Sequence, residues 1–306
     1  MPDYSIGLDL GGTNLRAAAI STRGEVLASI SGRAELKAGR DAVITDMVNA
    51  IKKLRDDTGT GLVGIGMGVP GFIIIEKGII VGSNNMPAFE GYALRDDMEK
   101  QLGTTVVLEN DANAAALGEK WMGVGRNVDD MVLLTLGTGI GGGIISNGRV
   151  LHGHVGMAGE MGHMTVVPDG NPCGCGNRGC LEKHASATAI SGMAKVIGLG
   201  ADLTSEQVYK LAVAGDEKAI RIFEAMGRYL GVALATLVNI FNFPLYVLSG
   251  GPLPAWDFFA PSMIEEAKWR SFTFRHADTK VEKAILGNEA GLYGAAYLPI
   301  LEKTAK

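Results

Sequence analysis

Three cysteines and a histidine lie close together in the sequence, in a pattern typical of a metal site. Cys173, Cys175 and Cys180 fall within eight residues, and His163 stands ten residues before the first of them. A structural zinc ion takes four thiolate or imidazole ligands in a tetrahedron. A redox pair of Cys175 and Cys180, or unreactive thiols, are the alternatives, but neither accounts for the whole group. We therefore predict a zinc site with His163, Cys173, Cys175 and Cys180 as ligands.

A second candidate for chemistry is a carboxylate next to an amide. Asn110 and Asp111 follow the apolar segment VVLE, a predicted strand, and open a predicted helix that runs to Trp121. The partial positive charge at a helix N-terminus favours an ionised carboxylate, which suits a group that accepts a hydroxyl proton. The same pair would also serve as an ordinary helix N-cap. The pattern alone leaves both roles open.

Glycine-rich turns between apolar strands could hold phosphate groups. Of the 44 glycines in 306 residues, 14 fall between Gly137 and Gly179. The segment GTGIGGG has the spacing GxGxxG, but a predicted hairpin follows it, which excludes the dinucleotide fingerprint, and no GK[ST] segment indicates a P-loop. Backbone N–H groups of such a turn can bind phosphate, although the glycines could simply form tight turns. Further turns at GGTN and SGGP favour phosphate binding.

The elements that position these residues repeat one layout. The chain begins with a strand, the GGTN turn, a returning strand and a second turn, and MVLLTL begins the same series again, with a hairpin turn at Asn147-Gly148. We predict an α/β fold of two duplicated domains with a nucleotide-sized cleft between them. The predicted domains are residues 1–114 and a larger one, 115–287, that carries the zinc knuckle; a last helix at about 288–306 packs back on the first.

Composition excludes several classes of protein. Lys and Arg number 28 against 33 Asp and Glu, a formal charge of −5, which argues against a nucleic-acid-binding surface. The cysteines are clustered rather than spread as in a secreted disulfide scaffold. Neither a signal peptide nor a membrane-spanning segment is recognisable. We expect a cytoplasmic protein that binds neither nucleic acid nor membrane.

Several of these motifs together resemble the ROK family of repressors and sugar kinases. Asp9-Leu-Gly-Gly-Thr-Asn14, Leu136-Gly-Thr-Gly-Ile-Gly-Gly-Gly143 and Ser249-Gly-Gly look like the two phosphate motifs and the adenosine motif of sugar kinases with an actin/hexokinase-like fold. The span from Leu136 to His163 is similar to the full family signature, and the resemblance runs essentially end to end. It implies two actin/hexokinase-like (ribonuclease H-like) domains with a structural zinc loop.

The resemblance also implies roles for individual residues. Asp111 matches the catalytic base, and Asp9 the outer-sphere partner of a catalytic Mg²⁺. His163 would bond the sugar with one ring nitrogen and zinc with the other. The implied ATP-binding residues are Asp9, Gly11, Gly12, Thr13, Asn14, Gly137, Thr138, Gly139, Gly141, Gly142, Gly250 and Gly251. The implied substrate-binding residues are Asn85, Asn110, Asp111, Glu160, His163 and Glu182.

Two of these assignments have a weaker basis in the residues themselves. Asn84 stands where the family usually has proline, which affects the register of Asn85. Glu160 and Glu182, taken alone, would be interpreted as surface carboxylates, and only their position beside the zinc knuckle marks them.

The activity implied is that of an ATP-dependent hexose kinase of the glucokinase type, which phosphorylates the sugar 6-hydroxyl. The segment CGCGNRGCLE is closer to the glucokinase and N-acetylhexosamine kinase branch than to the fructokinases. N-acetylmannosamine, N-acetylglucosamine or another hexose stays open as the substrate, because the pocket around C2 is not visible in a sequence. By similarity we expect a homodimer.

Two alternatives come from other functional classes. A sugar-sensing transcriptional regulator of the same family needs a helix-turn-helix ahead of the first phosphate motif, and that motif already begins at Asp9. An actin-like or chaperone-type ATPase would share the glycine turns but has no reason to carry the zinc knuckle or the Asn110-Asp111 pair.

Overall fold

The structure, a computed structural model, describes residues 2–11, 14–33, 39–83 and 86–304. Short 3₁₀ turns aside, its elements in chain order are β1 (Tyr4–Leu10), β2 (Asn14–Ser21), β3 (Val26–Arg33), α1 (Arg40–Thr58), β4 (Leu62–Val69), β5 (Phe72–Ile74), β6 (Ile79–Gly82), α2 (Leu94–Leu102), β7 (Val106–Asn110), α3 (Asp111–Trp121), β8 (Met131–Leu136), β9 (Ile140–Ser146), β10 (Arg149–Val150), α4 (Glu182–Ala185), α5 (Ala187–Val196), α6 (Ser205–Val213), α7 (Glu217–Phe241), β11 (Leu245–Gly250), α8 (Trp256–Arg270), β12 (Lys280–Lys283) and α9 (Ala290–Thr304).

The chain forms two compact units that are not continuous in sequence. The first unit comprises residues 1–129, 143–159 and 285–306, and the second comprises 130–142 and 160–284. This division differs from the predicted boundary at residue 114. The reason is that α3 packs against α9 and therefore stays with the first unit over its whole length.

The first unit is built on a five-stranded sheet in the order β3-β2-β1-β4-β7. β1, β2 and β3 are antiparallel, whereas β4 and β7 run parallel to β1 and to each other. β1 is buried along its whole length, as expected for a strand covered on both faces. Its residues Ile6 and Leu8 belong to the core shared with α1, whose apolar side chains, among them Met47 and Ile51, are buried.

The other face of this sheet is covered by α9, and glycines permit a very close approach. A Cβ atom at Gly7 would lie 2.3 Å from the Leu292 carbonyl oxygen, and one at Gly66 only 1.8 Å from that of Ala295. On the helix side, a Cβ atom at Gly294 would lie 1.6 Å from the Ala114 carbonyl oxygen in α3. The backbones are therefore in direct contact, which only glycine allows.

The second sheet has the order β10-β9-β8-β11-β12, so its strands follow the same spatial sequence as those of the first. β11 pairs in parallel with β8 and with β12. Between β10 and β11 the chain is helical, and the 25-residue α7 packs on α8 with Gly227 and Gly231 at the contact. Two sheets of the same strand order confirm the predicted α/β fold with a duplicated layout.

Within the part of the chain that the structure describes, no helix combines the length and the apolarity that a membrane span requires.

Candidate active site

Asn110 is fixed at the junction of β7 and α3 by bonds at both ends of its amide. Its Oδ1 accepts the N–H groups of Ala112 (2.9 Å) and Asn113 (3.3 Å), which makes it the N-cap of α3. Its Nδ2 donates to the Gly71 carbonyl oxygen (3.1 Å). Because the cap occupies Oδ1 and Gly71 takes one N–H, the amide offers its second N–H to a ligand.

Asp111 is the first residue of α3 and is half-buried. Its Oδ1 accepts the Ala112 N–H at 2.9 Å, the same donor that Asn110 caps. The carboxylate thus lies at a helix N-terminus, where the backbone dipoles stabilise negative charge. A carboxylate of this kind can accept a proton from a hydroxyl group that hydrogen-bonds to it.

Glu109 and His152, which the sequence interpretation did not single out, form a pair behind this junction. Glu109 is only 2% exposed, and its Oε2 lies 2.6 Å from Nε2 of His152. The hydrogen bond to Glu109 raises the pKa of His152, and burial partly opposes this. The available sequence signal was an acid at the end of a strand whose neighbours are apolar.

The four predicted metal ligands come together in the second unit. One donor atom from each of His163, Cys173, Cys175 and Cys180 lies within 4.8 Å of all the others. The Sγ atoms of Cys175 and Cys180 are 3.7 Å apart, and Nδ1 of His163 is 3.6 Å from Sγ of Cys173. Ligands on a tetrahedral zinc ion with Zn–S bonds of about 2.3 Å are about 3.8 Å apart. The group therefore fits a zinc ion.

Protonation of the thiols points in the same direction. Burial, with further contributions from the other two cysteines, raises the pKa of the Cys180 thiol to about 12. The Cys180 thiol therefore favours its protonated form when no cation is present, whereas a hydrogen bond from the Asn177 backbone lowers the pKa of Cys175, so a site of three thiolates needs compensating positive charge. A divalent cation would supply the charge that stabilises them.

Glu160, His163 and Glu182 are held near one another by the loop that carries the thiols. Nε2 of His163, the nitrogen turned away from the sulfur atoms, lies 3.8 Å from the Glu160 carboxylate. The Leu181 N–H donates to the Met164 carbonyl oxygen at 2.8 Å, which brings Glu182 beside this segment. Burial raises the pKa of Glu160, and Glu182 adds to the shift while His163 opposes it.

The second glycine turn is braced by the residues that follow the thiol loop. The Ile140 N–H donates to Oε2 of Glu182 (3.2 Å), and Oε1 of Glu182 pairs with Lys183. Thr188 Oγ1 donates to the Thr138 carbonyl oxygen at 2.7 Å. A Cβ atom at Gly139 would lie 2.2 Å from a carboxylate oxygen of Glu182, so a side chain at position 139 would displace that carboxylate from its present place. Glu182 therefore links the predicted sugar group to the predicted phosphate turn.

The third glycine motif lies against the same turn. Gly250 has φ = +108°, and a Cβ atom there would lie 1.9 Å from the Leu136 carbonyl oxygen at the end of β8. Both the left-handed backbone and this contact require glycine. The predicted adenosine and second phosphate motifs thus adjoin within one unit.

The first glycine turn is described in part. The Gly11 N–H donates to the Asn14 carbonyl oxygen at 2.8 Å, and Gly12, Thr13 and Asn85 lie outside the described residues. Asp9 is held by a hydrogen-bonded ion pair with Arg16. Burial raises the pKa of Asp9, and the Arg16 guanidinium opposes that shift.

A cavity of about 740 Å³ opens in the second unit between α4, α5 and α7. Its walls include Thr188, Met193, Ile222 and Tyr229. Its volume is in the range of small-molecule sites. Of the predicted site residues that the structure describes, only Glu182 is in its lining.

The chain is similar in sequence to known proteins over nearly its whole length. A family model described as the ROK family matches residues 5–301. Over 96% of its length the chain is 37% identical to a glucokinase of Halalkalibacterium halodurans, of which 94% is covered. It is 36% identical to a glucokinase of Thermotoga maritima, with 95% of each chain covered. A xylose repressor of Caldicellulosiruptor bescii is 30% identical over 96% of this chain but only 77% of the repressor.

Two solved structures have the same fold. A ROK hexokinase from Thermus thermophilus superposes with a TM-score of 0.90 and 34% identity, covering 99% of this chain and all of the other. A ROK family glucokinase from Streptomyces griseus in complex with glucose and AMPPNP gives a TM-score of 0.78 and 32% identity, covering 96% and 98% of the two chains.

Proposed function

The chain belongs to the ROK family, and from that premise we propose that it is an ATP-dependent hexose kinase that converts glucose to glucose 6-phosphate. The observation that carries this proposal is the β7–α3 junction, where a capped asparagine and a helix-terminal aspartate offer one donor and one proton acceptor side by side. Glucokinases at 31–37% identity over nearly the whole chain support glucose as the acceptor.

Asp111 acts as the general base in this proposal. The glucose 6-hydroxyl oxygen attacks the γ-phosphorus of ATP, a new O–P bond forms, and the bond to the β-phosphate oxygen breaks to release ADP. The hydroxyl proton passes to the Asp111 carboxylate as its oxygen becomes bonded to phosphorus. The second N–H of the Asn110 amide donates to a sugar hydroxyl and orients the ring.

The glycine turns bind the phosphates of ATP. Their backbone N–H groups donate to phosphate oxygens, and the lack of side chains allows the close approach that this requires. When bound, Mg²⁺ would neutralise negative charge on the phosphates. Asp9, held by Arg16 at the end of β1, is the residue we assign to that ion through its water shell.

The loop that carries Cys173, Cys175 and Cys180 positions a second set of sugar-binding residues. These are Glu160, His163 and Glu182. Zinc held by His163, Cys173, Cys175 and Cys180 would fix the loop without taking part in the reaction. With Nδ1 of His163 on the metal side, its Nε2–H is the tautomer left to donate, towards Glu160 or a sugar hydroxyl. The carboxylates of Glu160 and Glu182 accept hydrogen bonds from further hydroxyl groups of the sugar.

We place the enzyme in the cytoplasm as a homodimer with ATP and a hexose as its small-molecule partners, and assign it no nucleic-acid or membrane ligand. N-acetylmannosamine or N-acetylglucosamine is the second choice of acceptor within the same reaction.

A coupled ADP-release assay with Mg²⁺-ATP tests the function directly. Glucose, mannose, fructose, N-acetylglucosamine and N-acetylmannosamine are compared as acceptors under identical conditions. We expect the highest kcat/KM with glucose. A higher value with an N-acetylhexosamine would reassign the substrate, and no turnover with any sugar would reject the kinase function in favour of a sugar-binding regulator.

A further inference from the structure

Glu109 is a buried carboxylate whose hydrogen-bonding partners include residues on either side of Asp111, the proposed base. Its Oε1 accepts the Asn110 N–H (2.9 Å) and Nδ2 of Asn113 (3.0 Å), and its Oε2 accepts from His152. Burying a carboxylate at 2% exposure is unfavourable unless such donors surround it. No Lys or Arg among the described residues forms an ion pair with it, so His152 is its one titratable partner.

The donors to Glu109 lie on both sides of Asp111 in the chain. Asn110 precedes the aspartate, and Asn113 belongs to the first turn of α3 that follows it. One carboxylate thus fixes the direction in which the chain passes from strand into helix. Because Asp111 sits between the two bonded residues, the direction of its side chain depends on that carboxylate.

His152 in turn holds the carboxylate from the opposite side. It follows β10, and its carbonyl oxygen accepts the Ala158 N–H at 3.0 Å, which closes the loop of residues 152–158. Gly156 in this loop packs on the Ile73 carbonyl oxygen, where a Cβ atom would be 2.6 Å away. The histidine is therefore anchored by a closed loop rather than by a free side chain at the surface.

We propose that Glu109 and His152 are positioning residues for the phosphoryl-transfer reaction: Glu109 orients Asn110 and Asp111, and His152 holds Glu109. This rests on the proposed function, in which Asp111 is the base. Neither residue exchanges protons with the substrate. A base that is misplaced by a fraction of an ångström loses rate without losing substrate affinity in proportion.

Removing the charge of Glu109 is the first test. We expect Glu109→Gln to lower kcat for glucose by about ten- to a hundredfold while KM for Mg²⁺-ATP stays within a factor of about two. Glu119→Gln is the matched control, since Glu119 is also fully buried but bonds the backbone N–H groups of Val124, Ile285 and Leu286. The control should lower the melting temperature and leave kcat unchanged below it.

A pair of substitutions at position 152 separates hydrogen bonding from packing. His152→Leu removes the donor and should reduce kcat about tenfold or more, whereas His152→Gln keeps an amide N–H that can reach Glu109 and should retain roughly a third of the activity or better. His154→Leu, at an exposed position two residues on, should behave as wild type. Equal kcat in His152→Leu and wild type would overturn the proposal.

A measurement without substrate keeps this proposal distinct from the proposed function. Hydrogen exchange of the backbone N–H of Asn110, which donates to Glu109, can be followed by NMR. It should be faster in His152→Leu than in wild type and return to the wild-type rate in His152→Gln. Unchanged exchange in all variants would overturn the positioning role. Absence of turnover in the wild-type enzyme, with the exchange pattern as expected, would instead reject only the kinase assignment.

Discussion

The β7–α3 junction and the 160–182 segment present groups of similar chemistry but differ in what holds them. At the junction, Asn110 and Asp111 are fixed by a helix cap and a buried carboxylate, all supplied by the folded chain. In the 160–182 segment, Glu160 and His163 lie at a short 3₁₀ turn and Glu182 begins the four-residue helix α4; a few backbone hydrogen bonds join these pieces, and the four predicted metal ligands would tie them together further. In the proposed function, the chemical step thus belongs to the junction that the chain itself holds, and sugar recognition belongs to the segment that the predicted metal would hold.

Removing the proposed base, Asp111, should have the largest effect on activity. This effect should come from the β7–α3 junction and leave the 160–182 segment unchanged. We expect Asp111→Asn to lower kcat by about 10²- to 10⁴-fold with glucose affinity and melting temperature nearly unchanged, because the amide keeps the shape but cannot accept the proton. Asp216→Asn, a change at the N-cap of α7, is the control, since Asn caps as well as Asp. Near-normal turnover of Asp111→Asn would show that another residue is the general base.

Removing the metal should instead affect the 160–182 segment. Purified protein is expected to contain about one zinc per chain, and Cys175→Ser or prolonged chelation should remove it and reduce kcat/KM for glucose by about 10- to 100-fold. Hydrogen exchange should increase in residues 160–182 and stay constant at residues 109–113. A metal-free protein with full stability and activity would contradict the role given to the thiols.

Asn110 allows capping and sugar binding to be separated. Both Asn110→Ser and Asn110→Ala remove the amide donor and should raise KM for glucose about tenfold, the worth of one hydrogen bond. Serine keeps the N-cap whereas alanine does not, so only Asn110→Ala should lose a further ~1 kcal/mol of unfolding free energy. Urea unfolding and steady-state kinetics on the same preparations measure both. If KM for glucose rose only in Asn110→Ala, the variant that also loses stability, Asn110 would act only by capping the helix.

The smallest effect concerns the pH dependence of stability at the junction. Since Glu109 raises the pKa of His152, protonation is favoured in the folded state, so the stabilisation is complete below the pKa of an unfolded histidine and is lost as pH rises through the raised value. Wild type should exceed His152→Gln in unfolding free energy at pH 5.5 by less than about 1 kcal/mol, because the side chain is 35% exposed, and the difference should shrink by pH 8.5. A difference that grew with pH would mean the histidine is held neutral.

Motifs in the sequence predicted the parts of this site that depend on residue type and local spacing. The four predicted metal ligands could be named because a cluster of cysteines has few other uses, and the N-cap role of Asn110 followed from an apolar strand that leads into a helix. Glu109 and His152 could not be paired in this way, since 43 residues separate them and neither lies in a recognisable metal or nucleophile pattern. Similarly, the division of the chain depends on contacts of α9 with α3 and β1, which no local pattern contains.

The backbone contacts of α9 have a consequence for how the protein is made. Its residues 290–304 fill a groove in the first unit that glycines of β1 and β4 leave open, and translation reaches them last among the described elements. At about 5–20 residues per second, the interval between synthesis of β1 and of α9 is on the order of tens of seconds. During that time the nascent first unit exposes an uncovered sheet face. All residues of the second unit, 130–142 and 160–284, are synthesised before α9, so this unit can complete its core while the first unit, which begins earlier on the ribosome, still lacks its last helix.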